Sequence, residues 1–72
     1  MNEEGDAGAD RFAGMTVNER LFSAATLDQF DAAARRRDRI AMIALLRSVA
    51  LSQSEAVETT DMILADPAFY GL

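Results

Sequence analysis

Arg35, Arg36, Arg37 and Arg39 fall within five consecutive residues, interrupted only by Asp38, and form the densest group of chemically capable side chains in the sequence. Guanidinium groups at this spacing can grip phosphate oxygens or a partner's carboxylates through paired hydrogen bonds. Arg47 joins the same basic patch if the following helix is turned that way. One expectation is therefore nucleic-acid binding, with the second or third helix acting as a recognition element. Three features of the sequence oppose it. Residues 15–72 hold eight acids against six arginines. The segment after the cluster is apolar where base-reading polar side chains would stand. The turn also lacks the glycine usual in a helix-turn-helix. The simpler reading is a helix C-terminus dressed with cations that suit its dipole.

The acids suggest less. Asp28 and Asp31 lie one helical turn apart, and so do Glu55, Glu58 and Asp61. Carboxylates that converge can hold a metal ion or move protons. Here the spacing places them on the outward faces of amphipathic helices, and no Asp-rich loop with a central Gly exists to bind calcium. The nucleophile candidates are the hydroxyls of Thr16, Ser23, Thr26, Ser48, Ser52, Ser54, Thr59, Thr60 and Tyr70. Nothing in the chain can activate them, because it contains no His, Lys or Cys. The same inventory excludes a Schiff-base lysine, a thiolate metal site and a disulfide framework. From Met15 to Asp66 there is neither Gly nor Pro, so a Gly-rich phosphate loop is missing as well. The sequence predicts a protein that is not an enzyme and uses no cofactor or metal.

With no breaker residues in that stretch, caps must mark the helix boundaries. Three capping boxes can be read: Thr16 with Glu19, Thr26 with Gln29, and Ser52 with Glu55. Asp38 offers a fourth cap. These divide the chain into helices at about 16–24, 26–36, 38–50 and 52–65, and Asp66-Pro67 stops the last one. Apolar spacing in the third helix gives two adjoining stripes, Ile40, Ile43, Leu46 and Ala50 beside Met42, Leu45 and Val49. In the fourth, Ala56, Thr60, Ile63 and Leu64 face inward, with Glu55, Glu58 and Asp61 outward. Strand-like alternation is absent. The expected fold is a compact all-α bundle of three to four short helices, a single domain over residues 15–72. An alternative fuses neighbouring helices, which the Ala, Arg, Leu and Met content permits.

Residues 1–14 differ in character. They carry three of the four glycines and four acids against one Arg, which reads as a flexible acidic tail. The simpler reading makes Met15 the true start and the tail an upstream extension, and the competing reading makes the tail a docking arm with Phe12 as its anchor. The tail supplies more than half of the net charge of -5, so the domain itself is nearly balanced. The apolar run Ile40–Leu51 is too short to cross a bilayer and contains Arg47, and the acidic start has no apolar signal segment. A cytoplasmic location and no membrane partner are expected.

Fourteen of the 36 apolar residues are Ala, which leaves a small core. Small cores without metal or disulfides are often completed by association. The sequence therefore predicts a non-catalytic protein–protein interaction module: a small regulatory, adaptor or inhibitor subunit that forms a homodimer or binds a larger partner. Met42, Leu45 and Val49 on the third helix, with Phe69, Tyr70 and Leu72 at the C-terminus, are expected to make the contacts, and the arginines to set orientation. The C-terminal aromatics have an equal alternative, closing the end of the bundle against Phe22 or Phe30.

Overall fold

The computed structural model describes residues 11–72. Four helices follow in order: α1 (Val17–Ser23), α2 (Leu27–Arg36), α3 (Arg39–Ser48) and α4 (Gln53–Ala65). A 3-10 turn over Pro67–Tyr70 completes the chain, and no strand occurs among the described residues. Over the described residues the protein is an all-helical bundle, and the helices from Val17 onward are four separate ones rather than fused.

The caps explain the starts. Thr16 and Glu19 form a complete capping box, the Thr16 hydroxyl accepting from the Glu19 N–H at 3.2 Å and the Glu19 carboxylate from the Thr16 N–H at 2.8 Å. Ser52 and Glu55 repeat it at 3.1 and 2.8 Å. Asp38 caps α3 by accepting from the Ala41 N–H at 3.2 Å. The expected box at Thr26 and Gln29 does not form. Thr26 holds the N-cap position with φ -118° and ψ 6°, but its hydroxyl donates to the Leu21 carbonyl at 3.3 Å instead of capping. Helix α2 begins there without a side-chain cap because its first turn is tied to the end of α1.

The stops are backbone motifs that composition concealed. Ala25, Arg37 and Ala50 all have left-handed backbones, with φ of 60°, 59° and 75°. Each closes the preceding helix with the same pair of bonds. Ala25 N–H donates to Phe22 O and Thr26 N–H to Leu21 O; Arg37 N–H to Ala34 O and Asp38 N–H to Ala33 O; Ala50 N–H to Arg47 O and Leu51 N–H to Leu46 O. Glycine is the usual residue at this position, since a Cβ costs roughly 1–2 kcal/mol there. The bundle accepts that strain three times.

Burial of Leu21, Phe30, Met42, Leu46, Val49, Ala56 and Ile63 gathers all four helices around one core. In α3 and its C-cap the buried stripe is Met42, Leu46 and Val49, at helical spacings of four and three. Ile40, placed by the spacing on an apolar stripe, is 81% exposed. In α4 the inward set is as expected: Ala56, Thr60 and Ile63 are buried, and Leu64 is half-buried. Thr60 is wholly enclosed and its hydroxyl has no partner among the described residues, a burial that costs roughly 1–3 kcal/mol relative to an apolar side chain of the same shape.

The expected tail overlaps the described part only at residues 11–14. Within that overlap Phe12 is buried in the core at 3% exposure, and Met15 and Val17 pack against the same cluster. Packing therefore reaches past the boundary expected at residue 15, because a phenylalanine ring supplies apolar area that the Ala-rich helices lack. Residues 1–10, the rest of the expected tail, lie outside the described residues. No helix among the described residues is long and apolar enough to cross a membrane.

Candidate interaction site

The basic cluster is spent largely on the protein itself. Arg39 makes a paired contact with Asp61 of α4, at 2.8 and 3.2 Å, and Arg36 meets Asp38 at 3.3 Å. Arg37 donates to the Leu64 carbonyl near the end of α4 at 3.2 Å, a favourable place for a cation beside the C-terminal helix dipole. Arg47 donates to the Gln53 side chain at 2.7 Å. Gln53 and Leu64 stand at opposite ends of α4, about 16 Å apart along its axis. Arg47 and Arg37 are thus drawn to different ends of the molecule, and Arg47 does not extend the patch. Arg35 is exposed and makes no ion pair among the described residues.

These contacts leave their mark on the acids. The Asp38 carboxyl sits below the usual carboxylate range, first because of the Ala41 N–H and then because of Arg36. Asp61 is lowered by its bond from Arg39, and the Arg39 guanidinium is held more firmly protonated in return. Glu55 is lowered by the Ser52 N–H and then by the Ser52 hydroxyl of the capping box. Each shift has a structural cause at a helix start or a surface ion pair. Among the described residues no three carboxylates gather where they could hold a metal ion.

Two other arginines were not singled out by spacing. Arg20 is partly buried, and its guanidinium bonds to the Met15 carbonyl at 3.2 Å and to the Val49 carbonyl at 3.0 Å. It ties the chain before α1 to the end of α3. Arg11 donates to the carbonyl of Ser23, the last residue of α1, at 2.8 Å, and lies 4.8 Å from the centre of the Phe12 ring. Sequence spacing carries no sign of these bonds, because each acceptor is a backbone oxygen.

The predicted contact residues separate into two groups. Met42 and Val49 are wholly buried and belong to the core, so they do not reach a partner. Met42 sits in α3 and Val49 caps its end, and both belong to the buried core cluster. Leu45 and Leu72 are half-buried against the same core. Phe69 and Tyr70 do reach the surface, at 78% and 41% exposure, with their rings edge to face and centres 5.1 Å apart.

Tyr70 opens onto a groove on the other side of the molecule. Helix α3 packs closely on α4, whereas α1 packs on α2 and makes no comparable contact with α4. The seam between α1 and α4 is therefore open. Its middle is a hollow of about 480 Å³ bounded by Val17, Phe30, Met62, Ile63 and Tyr70, with Thr16, Asn18 and Thr59 at its edges. A second hollow, about 380 Å³, adjoins it through Asn18 and Tyr70 and is bounded further by Glu19, Phe22, Leu27 and Asp31. Phe22 and Met62 are 75% and 61% exposed. Sequence reasoning missed both as contact residues, although a signal existed. Leu21 faces the core from α1, and Ala56, Thr60 and Ile63 do so from α4. Phe22 and Met62 are large apolar side chains one position off those stripes.

No family model, curated protein or solved structure matches the chain.

Proposed function

We propose that this all-α domain is a non-catalytic interaction module that binds another protein through the groove between α1 and α4. One observation supports the reading: Phe22, Met62 and Tyr70 are all exposed around two adjoining hollows that the described residues leave unfilled. Grouped exposed apolar side chains of this kind mark interaction surfaces. The module would act as a regulatory, adaptor or inhibitor subunit, as one half of a homodimer or on a larger partner, and its Cys-free composition suits a reducing cytoplasm. The arginines lend less support to nucleic-acid binding, since three of the four clustered ones, and Arg47 apart from them, are already bonded within the chain.

The test is cross-linking and affinity capture from native extract, using the wild type, a Phe22→Asp/Met62→Asp variant and an Arg35→Gln variant. Circular dichroism checks that each remains helical. A specific cross-linked partner, either self or foreign, should be lost in the groove variant and kept in Arg35→Gln. Capture that is insensitive to the groove substitutions would refute the reading.

A further inference from the structure

Building on that interaction reading, we propose that the groove takes a short amphipathic segment of a foreign protein bearing Arg or Lys beside its apolar residues, rather than a second copy of this chain. The two adjoining hollows differ in chemistry. The one along Val17, Phe30, Met62 and Ile63 is apolar and suits aliphatic side chains. In the other, the Glu19 and Asp31 side chains stand with the rings of Phe22 and Tyr70. Carboxylates attract a guanidinium or ammonium by charge, and aromatic faces attract it through their quadrupole. Among the described residues no cationic side chain lines either hollow. Arg20 lines the next stretch of the seam beside Met15 and Glu55, with its guanidinium bonded to two backbone carbonyls. Asp31 is half-buried and makes no ion pair among the described residues. Glu19 already accepts from the Thr16 N–H, so Asp31 is the carboxylate there that no cation among the described residues pairs.

The same charges disfavour a second copy. A two-fold dimer sets a patch against itself, which would bring Glu19 and Asp31 of each protomer toward those of the other. Like charges brought together at an interface are costly. A head-to-tail contact that fed Arg35 into the hollow would escape the repulsion, but such contacts propagate into rings or filaments rather than closing as a pair.

The experiment uses fluorescein-labelled amphipathic peptides with one Leu pattern and with Arg, Gln or Glu at the polar positions, titrated by anisotropy into the full chain. The Leu/Arg peptide should bind at least tenfold more tightly than Leu/Gln, and Leu/Glu should not bind. Asp31→Asn should weaken Leu/Arg at least fivefold and leave Leu/Gln unchanged. Asp66→Asn removes the same charge at a site outside both hollows and should change neither. Met62→Ser should weaken both binding peptides. Equal losses in Asp31→Asn and Asp66→Asn would overturn the proposal, leaving only attraction to net charge. Equal binding of Leu/Arg and Leu/Gln would overturn it while keeping an apolar interaction groove. No peptide binding with a dimer in sedimentation, dissociated by Met62→Asp, would overturn it in favour of a second copy. No peptide binding by a monomer would remove this proposal, while the capture experiment separately decides the interaction reading.

Discussion

The arginine-rich end of the bundle and the aromatic groove carry the two most concentrated chemistries in the chain, and the fold treats them in opposite ways. Charged groups at a helix end find partners close at hand, because every helix leaves carbonyls unpaired at its C-terminus. Arg11, Arg20 and Arg37 use this, each reaching the end of a different helix: Ser23 of α1, Val49 after α3 and Leu64 of α4. An exposed apolar ring has no such local remedy, since only coverage by another surface removes it from water. Phe22 and Tyr70 therefore remain outward while most of the arginines are used up. A run of charge in a small helical domain is weak evidence for a ligand until its backbone acceptors have been counted.

The sharpest test of this contrast pairs two phenylalanines. Phe12→Ala should cost roughly 3–5 kcal/mol in denaturant unfolding, while Phe22→Ala should change stability by less than about 0.5 kcal/mol. Similar losses at both positions would break the division between the buried Phe12 and the outward Phe22. Arg20→Met keeps much of the apolar stem but abandons two carbonyls, and about 1–3 kcal/mol should be lost. A neutral outcome in the same unfolding assay would mean that water satisfies both oxygens equally well. Ala25→Gly should raise stability by about 0.5–1 kcal/mol net, because relief of left-handed strain outweighs glycine's extra chain entropy. Arg37→Gly should gain less than this, as it also gives up the bond to Leu64.

The smallest individual effects belong to the exposed acids. Asp38, Glu55 and Asp61 are lowered in the folded state, so the unfolded chain takes up their protons first as the solution is acidified. Their contribution is complete above the unfolded carboxylate values of about 4 and disappears as pH falls through the folded ones. The denaturant midpoint should hold steady from about pH 5 to 7, where no histidine titrates, and decline below about pH 4. Asp61→Asn should make that decline shallower.

The sequence made the helices legible because their starts are written in side chains. Thr16, Asp38 and Ser52 cap where they were expected to, and the Thr60 and Ile63 face of α4 points inward as its spacing required. The stops were not legible as motifs, since Ala25, Arg37 and Ala50 occupy a conformation that residue type argues against. Part of the surface was misplaced for a related reason. Helix α3 has apolar residues around more than half of its circumference, so spacing alone could not tell the covered stripe of Met42, Leu46 and Val49 from the exposed Ile40. Phe22 and Met62 were readable in principle as apolar residues beside an inward stripe. The open seam behind them was not, because it depends on α1 leaning on α2 and away from α4.

The three left-handed joints also bear on how the chain finds its fold. Each is closed by hydrogen bonds that span no more than six consecutive residues, so every change of direction between helices is settled locally. The pieces that must then meet are short helices already aimed by their joints, and little loop entropy remains to be lost. Folding dominated by such nearby contacts belongs to the microsecond-to-millisecond range. Lengthening any joint by one residue would displace its paired bonds, so these turns should tolerate substitution far better than insertion.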